Sequence, residues 1–186
     1  MALNDTLTTR LADHLKRLRQ ERGWSLDQLA EASGVSRATL SRLENAEVSP
    51  TTEVLAKLCV AYALTMTRLL AMVEEGFRPV VRRADQTLWI DPESGFRRRS
   101  VSPPANPLAA EVLECELEAG TRLTYDAPPV PGLEHHLVLL QGYLEVRIGE
   151  ELHRLEPGDC LRYRLFGASE FRTAEGKAAK YLLVLV

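Results

Sequence analysis

The side chains of this 186-residue chain that could do chemistry fall into three groups. Arg37 and Arg42 lie in the segment SRATLSRLEN, and an arginine presented on a helix surface can bond bidentately to guanine O6 and N7. Glu134-His135-His136 puts a carboxylate beside two imidazoles, a set that could hold a metal ion or orient a ligand. Successive residues of a strand point to opposite faces, so at most one of His135 and His136 enters a given cavity. A divalent ion needs three or four convergent donors, and two can be assembled here; no metal, no cofactor and no catalytic residue is therefore expected. Cys59, Cys115 and Cys160 are odd in number and widely spaced, without a CxxC pair. They read as reduced thiols, with Cys115 and Cys160 packed as small hydrophobes and no base beside them to make a redox sensor.

The elements that must position these groups change character along the chain. Up to about Glu75 apolar residues recur at helical spacing, as in Leu7, Leu11, Leu15, Leu18 and then Leu55, Leu58, Tyr62. Within this part Ser25 is a good N-cap, Ala30 is small where two helices would approach, Gly34 can turn left-handed, and Ser36 can cap the helix that follows. Leu29, Val35, Leu40 and Leu43 then face one core. A helix, a tight glycine turn and a second helix crossing it form the helix-turn-helix arrangement. With the second helix starting at Ser36, Arg37, Ala38, Ser41 and Arg42 can reach base edges and Thr39 lies nearer the backbone. Helix N-termini and short polar side chains suit phosphate contacts, which nominates Ser25, Ser36, Thr39 and Asn45.

Beyond Phe77, prolines and glycines punctuate short β-type runs: Pro79-Val80-Val81, Glu111 to Leu117, Leu137 to Leu140, Tyr143 to Ile148 and Lys180 to Val186. Tyr143 to Ile148 and Leu152 to Leu155 flank Gly149-Glu150-Glu151 as a hairpin, and Glu156-Pro157-Gly158-Asp159 fits a turn. In the next strand Leu161, Tyr163 and Leu165 alternate with Cys160, Arg162 and Arg164, and the pattern leaves open which face is inside. Arg97-Arg98-Arg99 reads as a solvated strand or a subunit contact, with an anion site as the sharper alternative.

The composition, 45% hydrophobic and 26% charged, is that of a globular protein. The formal net charge of −3 gives no support for nucleic-acid binding, so any such contact must come from a local patch. No run approaches the length of a membrane span and the N-terminus lacks a signal-peptide core, so a cytoplasmic protein is expected.

Residues 8 to 73 resemble the lambda-repressor-like helix-turn-helix domain of the xenobiotic-response-element (XRE) family. LADHLKRLRQERGWSLDQLA is similar to its first two helices, GVSRATLSRLENAEVSPTTEVLAKLCVAY to its third and fourth, and TMTRLLAMV to its fifth. The resemblance implies an internal ion pair between Arg19 and Glu44. It also implies a departure: the family often places Gln directly after the cap of helix 2 for a phosphate contact, and this chain has Leu26. The segment GLEHHLVLLQGYLEVRIGEELHRLEPGDCLRYRLFGASEFR resembles the cupin jelly-roll barrel, in which metal-binding members carry a His-x-His, a Glu and a later His; here the last position is Ser169.

The expected fold class is thus multidomain α + β. A five-helix lambda-repressor-like domain occupies residues 8–73, a linker 74–78 with a hinge between Glu74 and Pro79, and a cupin domain 79–186. The resemblance implies a transcriptional regulator, not an enzyme, bound as a homodimer to a double-stranded DNA operator and modulated by a small-molecule effector in the barrel. Tyr125, the inward member of His135 and His136, and whichever of Arg162 or Tyr163 faces inside are the candidate effector contacts. A metal-dependent cupin enzyme fused to a DNA-binding domain and an antitoxin-like protein-binding module are the alternatives.

Overall fold

The computed structural model describes residues 2–71, 73, 77–105 and 108–186, with side chains from Leu7 onward. It divides into two compact units, Met1–Gly76 and Phe77–Val186. Glu74, Glu75 and Gly76, where the linker and hinge were expected, lie outside the described residues.

The first unit holds α1 (Ala2–Glu21), α2 (Leu26–Ser33), α3 (Arg37–Glu44), α4 (Thr52–Tyr62) and α5 (Met66–Ala71). Local chemistry sets their ends. Gly23, at φ +66, turns the chain out of α1 while the Trp24 N–H donates to the Arg19 carbonyl at 3.0 Å and the Gly23 N–H to the Gln20 carbonyl at 2.9 Å. Ser25 caps α2 and Ser36 caps α3, each Oγ accepting a backbone N–H of the first turn. Between them Gly34 adopts φ +67 and its N–H bonds the Ala30 carbonyl. Leu11, Leu15, Leu29, Val35, Leu40, Leu58, Tyr62 and Leu69 close into one core. Each fully buried leucine contributes about 2 kcal/mol of transfer free energy.

The second unit is built from β1 (Leu88–Ile90), β2 (Arg97–Ser102), β3 (Glu111–Leu117), β4 (Arg122–Tyr125), β5 (Leu133–Gly142), β6 (Leu144–Ile148), β7 (Glu151–Leu155), β8 (Cys160–Leu165), β9 (Ser169–Arg172) and β10 (Ala179–Leu185). The sheets run β1-β2-β3-β10-β5-β8 and β4-β9-β6-β7. The strands β3-β10-β5-β8 and β4-β9-β6-β7 are the two interleaved sheets of a jelly roll, and β1 and β2 extend the first sheet past β3. Inward residues of both sheets, including Phe96, Leu117, Leu137, Leu139, Leu144, Val146, Phe171 and Tyr181, form its core. Gly142 is required where β5 ends: at φ +85 an added Cβ would sit 1.7 Å from the Ala178 carbonyl oxygen.

The hairpin and the Pro-Gly turn form where their residues predict. Ile148 pairs with Glu151 around Gly149, and the Asp159 N–H bonds the Glu156 carbonyl at 3.0 Å. Two expectations are corrected. Pro79-Val80-Val81 is not a strand: proline removes a ladder donor, and Val80 is 58% exposed with no sheet beside it. Cys160 does not pack as a small hydrophobe but is exposed, because it shares the outward face of β8 with Arg162 and Arg164, whereas Cys115 is buried.

Candidate functional site

In the first unit α3 turns Leu40, Leu43 and Glu44 inward. Arg37, Ala38, Arg42 and Asn45 are exposed and Thr39 and Ser41 half-buried, so the nominated side chains share an outer face on and around α3. Ser36 Oγ accepts the Thr39 N–H at 3.2 Å and lies 2.8 Å from Thr39 Oγ1, a hydroxyl pair at the helix start. Both arginines have carboxylate neighbours that the sequence did not point to. Arg37 Nε is 3.2 Å from Asp27 Oδ1, at the start of α2, and Arg42 Nε is 3.7 Å from Glu47 Oε2. All four side chains are largely exposed, so these pairs are worth about 0–1 kcal/mol and yield readily to a stronger anion.

Beneath this face Arg19 grips Glu44: Nε donates to Oε1 and Nη2 to Oε2, both at 2.7 Å, while Nη1 donates to the Trp24 carbonyl at 2.8 Å. The side chains are 14% and 6% exposed, and the fork ties α1 to the end of α3. Leu26, which stands where the family often has Gln, packs against the core. Gln28 does different work two residues on. Its Oε1 accepts the Ser25 N–H at 2.8 Å while its own N–H donates to Ser25 Oγ at 3.1 Å, a reciprocal capping box. The Ser-x-x-Gln spacing is the signal that could have singled it out.

In the second unit the ladder separates the nominated residues. His135 pairs with Tyr163 and His136 with Arg162 across β5 and β8. His135 is buried, its Nδ1 3.1 Å from the Tyr163 hydroxyl and the rings in edge contact at 4.9 Å. Burial pulls the His135 imidazole down to about 4, and burial likewise raises the Tyr163 phenol above its ordinary value, so both are neutral near pH 7. Tyr125, at the end of β4, lies opposite Ser169 and edge-on to Phe171, which stacks on the fully buried Tyr181. Tyr125, His135 and Tyr163 thus belong to the interior face. His136 and Arg162 do not: they stand on the outer face, where they line a shallow surface pocket of about 380 Å³ with Glu134, Arg164 and Tyr163, which β8 carries between the two arginines. There Glu134 is held below its ordinary range by the hydrogen bond to His136, Oε1 to Nε2, at 2.8 Å. Among the described residues no three His, Cys, Asp or Glu side chains come together as metal ligands. Ser169, the position the resemblance matches to the last imidazole of metal-binding members, is buried. The donor set therefore does not fit a bound metal.

Residues 10–72 match the family model described as a helix-turn-helix domain. Over 159 residues, 86% of this chain and 84% of the relative, the chain is 29% identical to the HTH-type transcriptional regulator SutR of Escherichia coli K12. Over 59 residues, 32% of this chain and 67% of the relative, it is 36% identical to the antitoxin HipB of the same organism. The crystal structure of FeII HppE is alike in fold, with a TM-score of 0.55 at 15% identity over 96% of this chain and 99% of that one. Cap chemistry, helix order and strand order define a helix-turn-helix domain followed in sequence by a two-sheet jelly roll. The chain belongs to the XRE-type helix-turn-helix family.

Proposed function

We propose that this protein is a cytoplasmic, sequence-specific transcriptional regulator that binds duplex DNA as a homodimer through α3 and responds to a small molecule held by the jelly roll. The observation that carries the DNA-binding reading is the outer face of α3. Arg37 and Arg42 flank the small residues Ala38 and Ser41, over a core that fixes the helix through Leu40, Leu43 and the Arg19–Glu44 fork. Small residues between two arginines let the helix approach base edges closely while each guanidinium offers two parallel donors to a guanine. Ser25, Ser36, Thr39 and Asn45 contact phosphates. With Gln28 Oε1 committed to the cap, its amide N–H₂ is the end left to donate to a phosphate, in place of the missing Gln at position 26. A domain of this size covers few base pairs, so a two-fold dimer on a pseudo-palindrome supplies the remaining specificity.

The effector reading rests on Tyr125, His135 and Tyr163, neutral polar groups on the interior face of a largely apolar barrel. That pattern suits a ligand oriented by a few hydrogen bonds. An effector shifts operator affinity only by the difference in its affinity for two states of the protein. The donor set is what favours a sensor over a metal-dependent enzyme.

The test is operator binding after selection from random duplexes. Arg37→Ala and Arg42→Ala each cost about 1–3 kcal/mol on the selected operator and much less on random DNA. Equal losses on every sequence would show that these arginines grip phosphates instead of reading bases.

A further inference from the structure

The run Arg97-Arg98-Arg99 is not a uniform solvated strand, because neighbouring residues of β2 face opposite ways. Arg97 and Arg99 lie on the outer face with carboxylate neighbours, Glu116 at 3.9 Å and Glu114 at 3.6 Å. Arg98 lies on the inner face: it pairs with Cys115 of β3 and Trp89 of β1, and Cys115 pairs in turn with the buried Tyr181. Among the described residues no carboxylate lies within ion-pair distance of Arg98; its guanidinium sits over the Trp89 ring, 5.3 Å from the centroid.

Among the described residues no strand of the second sheet lies opposite this inner face. The first sheet has six strands and the second four, with β4 at the second sheet's edge, so β1 and β2 overhang that edge. Tyr125 of β4 stands at the edge of the second sheet, linked to Tyr181 through Phe171 by ring contacts of 6.1 and 6.2 Å, and Tyr181 pairs with Cys115 beside Arg98. Burial raises its phenol above its ordinary value while the Arg98 charge opposes the rise, so Tyr125 is a neutral donor within the field of that guanidinium. Trp89 and Tyr125 remain 47% and 45% exposed. The nearby carboxylate, Asp91, is engaged inside its own turn by the N–H and hydroxyl of Ser94.

We propose that Arg98, Trp89 and Tyr125 form a binding site for a small aromatic carboxylate, the chemical class of the effector. The proposal rests on the effector reading above and narrows it. A guanidinium stacked on an indole uses its π face and leaves its in-plane N–H donors free, in the fork geometry that matches a carboxylate. The two half-exposed rings offer apolar area to a planar body, and the Tyr125 hydroxyl offers a further hydrogen bond to the carboxylate.

The full-length protein with Trp24→Phe, which leaves Trp89 as the sole indole, is titrated with benzoate, benzamide and acetate while Trp89 fluorescence and thermal stability are followed. Benzoate quenches Trp89 and raises the melting temperature, whereas acetate and benzamide bind at least about tenfold more weakly because each lacks one half of the recognised group. Arg98→Gln weakens benzoate about ten- to a hundredfold, and Arg97→Gln leaves it unchanged. Equal binding of benzoate and benzamide, retention of affinity in Arg98→Gln, or no response to millimolar benzoate would each overturn the site. Operator titrations with and without benzoate separate the two readings. Benzoate binding that depends on Arg98 but leaves operator affinity unchanged keeps the site and refutes its coupling to DNA. A different molecule that shifts operator affinity equally in wild type and Arg98→Gln keeps the coupling and refutes the site.

Discussion

Acid should weaken the jelly roll through one imidazole. His135 is 8% exposed, and burial lowers its pKa from 6.5 to about 4. Between these values the unfolded chain binds a proton that the folded chain does not, so stability is fully present above about pH 6.5 and is lost as pH falls toward 4. The linkage integral is about 2 kcal/mol at pH ~5 and approaches about 3 kcal/mol at lower pH. Carboxylates of the same unit held below their ordinary range, such as Glu114, Glu134 and Glu145, lose their contribution mainly below about pH 4.5, outside this window. His14, also lowered chiefly by burial, belongs to the other unit. The assay is urea unfolding followed by Trp89 fluorescence in a Trp24→Phe background, at several pH values from about 7 to 5, with and without His135→Gln. Wild type loses about 2 kcal/mol across the range and His135→Gln loses a small fraction of that, because glutamine does not titrate and can keep a hydrogen bond to Tyr163. Parallel pH profiles for the two proteins would refute the assignment.

Two further perturbations act on packing. Glu44→Gln leaves Arg19 buried without its counter-charge and lowers the stability of the first unit by about 3–5 kcal/mol in chemical denaturation, whereas Arg19→Met with Glu44→Leu loses less than the single variant. Gly142→Ala drives a Cβ into the Ala178 carbonyl and costs about 3 kcal/mol or more, read as loss of soluble protein or of the denaturation midpoint. Gly34→Ala meets nothing within 4 Å and bears only the strain of its φ of +67, about 1 kcal/mol by the same measurement.

The parts of the molecule that were legible in the sequence are those decided by near neighbours in the chain. Ser25, Gly34 and Ser36 mark helix ends because a cap needs only residues within about one turn of it in the chain. Glu111 to Leu117 is a strand with the predicted bounds because Leu113, Cys115 and Leu117 alternate with Glu114 and Glu116 at a period of two. What was not legible depended on distant partners. His135 and His136 could not be told apart because Leu137, Val138, Leu139 and Leu140 make both faces of β5 apolar, and only pairing with β8 and β10 shows that His135 and Tyr163 share the inside. Three identical arginines carry no alternation to read. Arg98 separates from Arg97 and Arg99 only when β1 and β3 are placed beside it. Asp27 and Glu47 were missed because an exposed ion pair leaves no hydrophobic pattern.

Asp27 makes the electrostatics of the DNA-binding face testable. In the first turn of α2 its charge favours the helix dipole by a few tenths of a kcal/mol, and it lies 3.2 Å from Arg37 Nε. On the proposed DNA-binding face the same carboxylate would approach the phosphates assigned to Ser25 and Ser36, where a like charge about 6 Å away in water costs about 0.7 kcal/mol, roughly threefold in affinity. Asp27→Asn removes this repulsion on every sequence but also releases Arg37 from its orienting partner. Affinity for random duplex should therefore rise about threefold, affinity for the selected operator should rise less, and their ratio should shrink. Fluorescence anisotropy over a series of salt concentrations measures both. If random-duplex affinity stays level or falls in Asp27→Asn, the carboxylate does not face phosphate, and the docking of α2 and α3 on DNA argued from their caps is wrong.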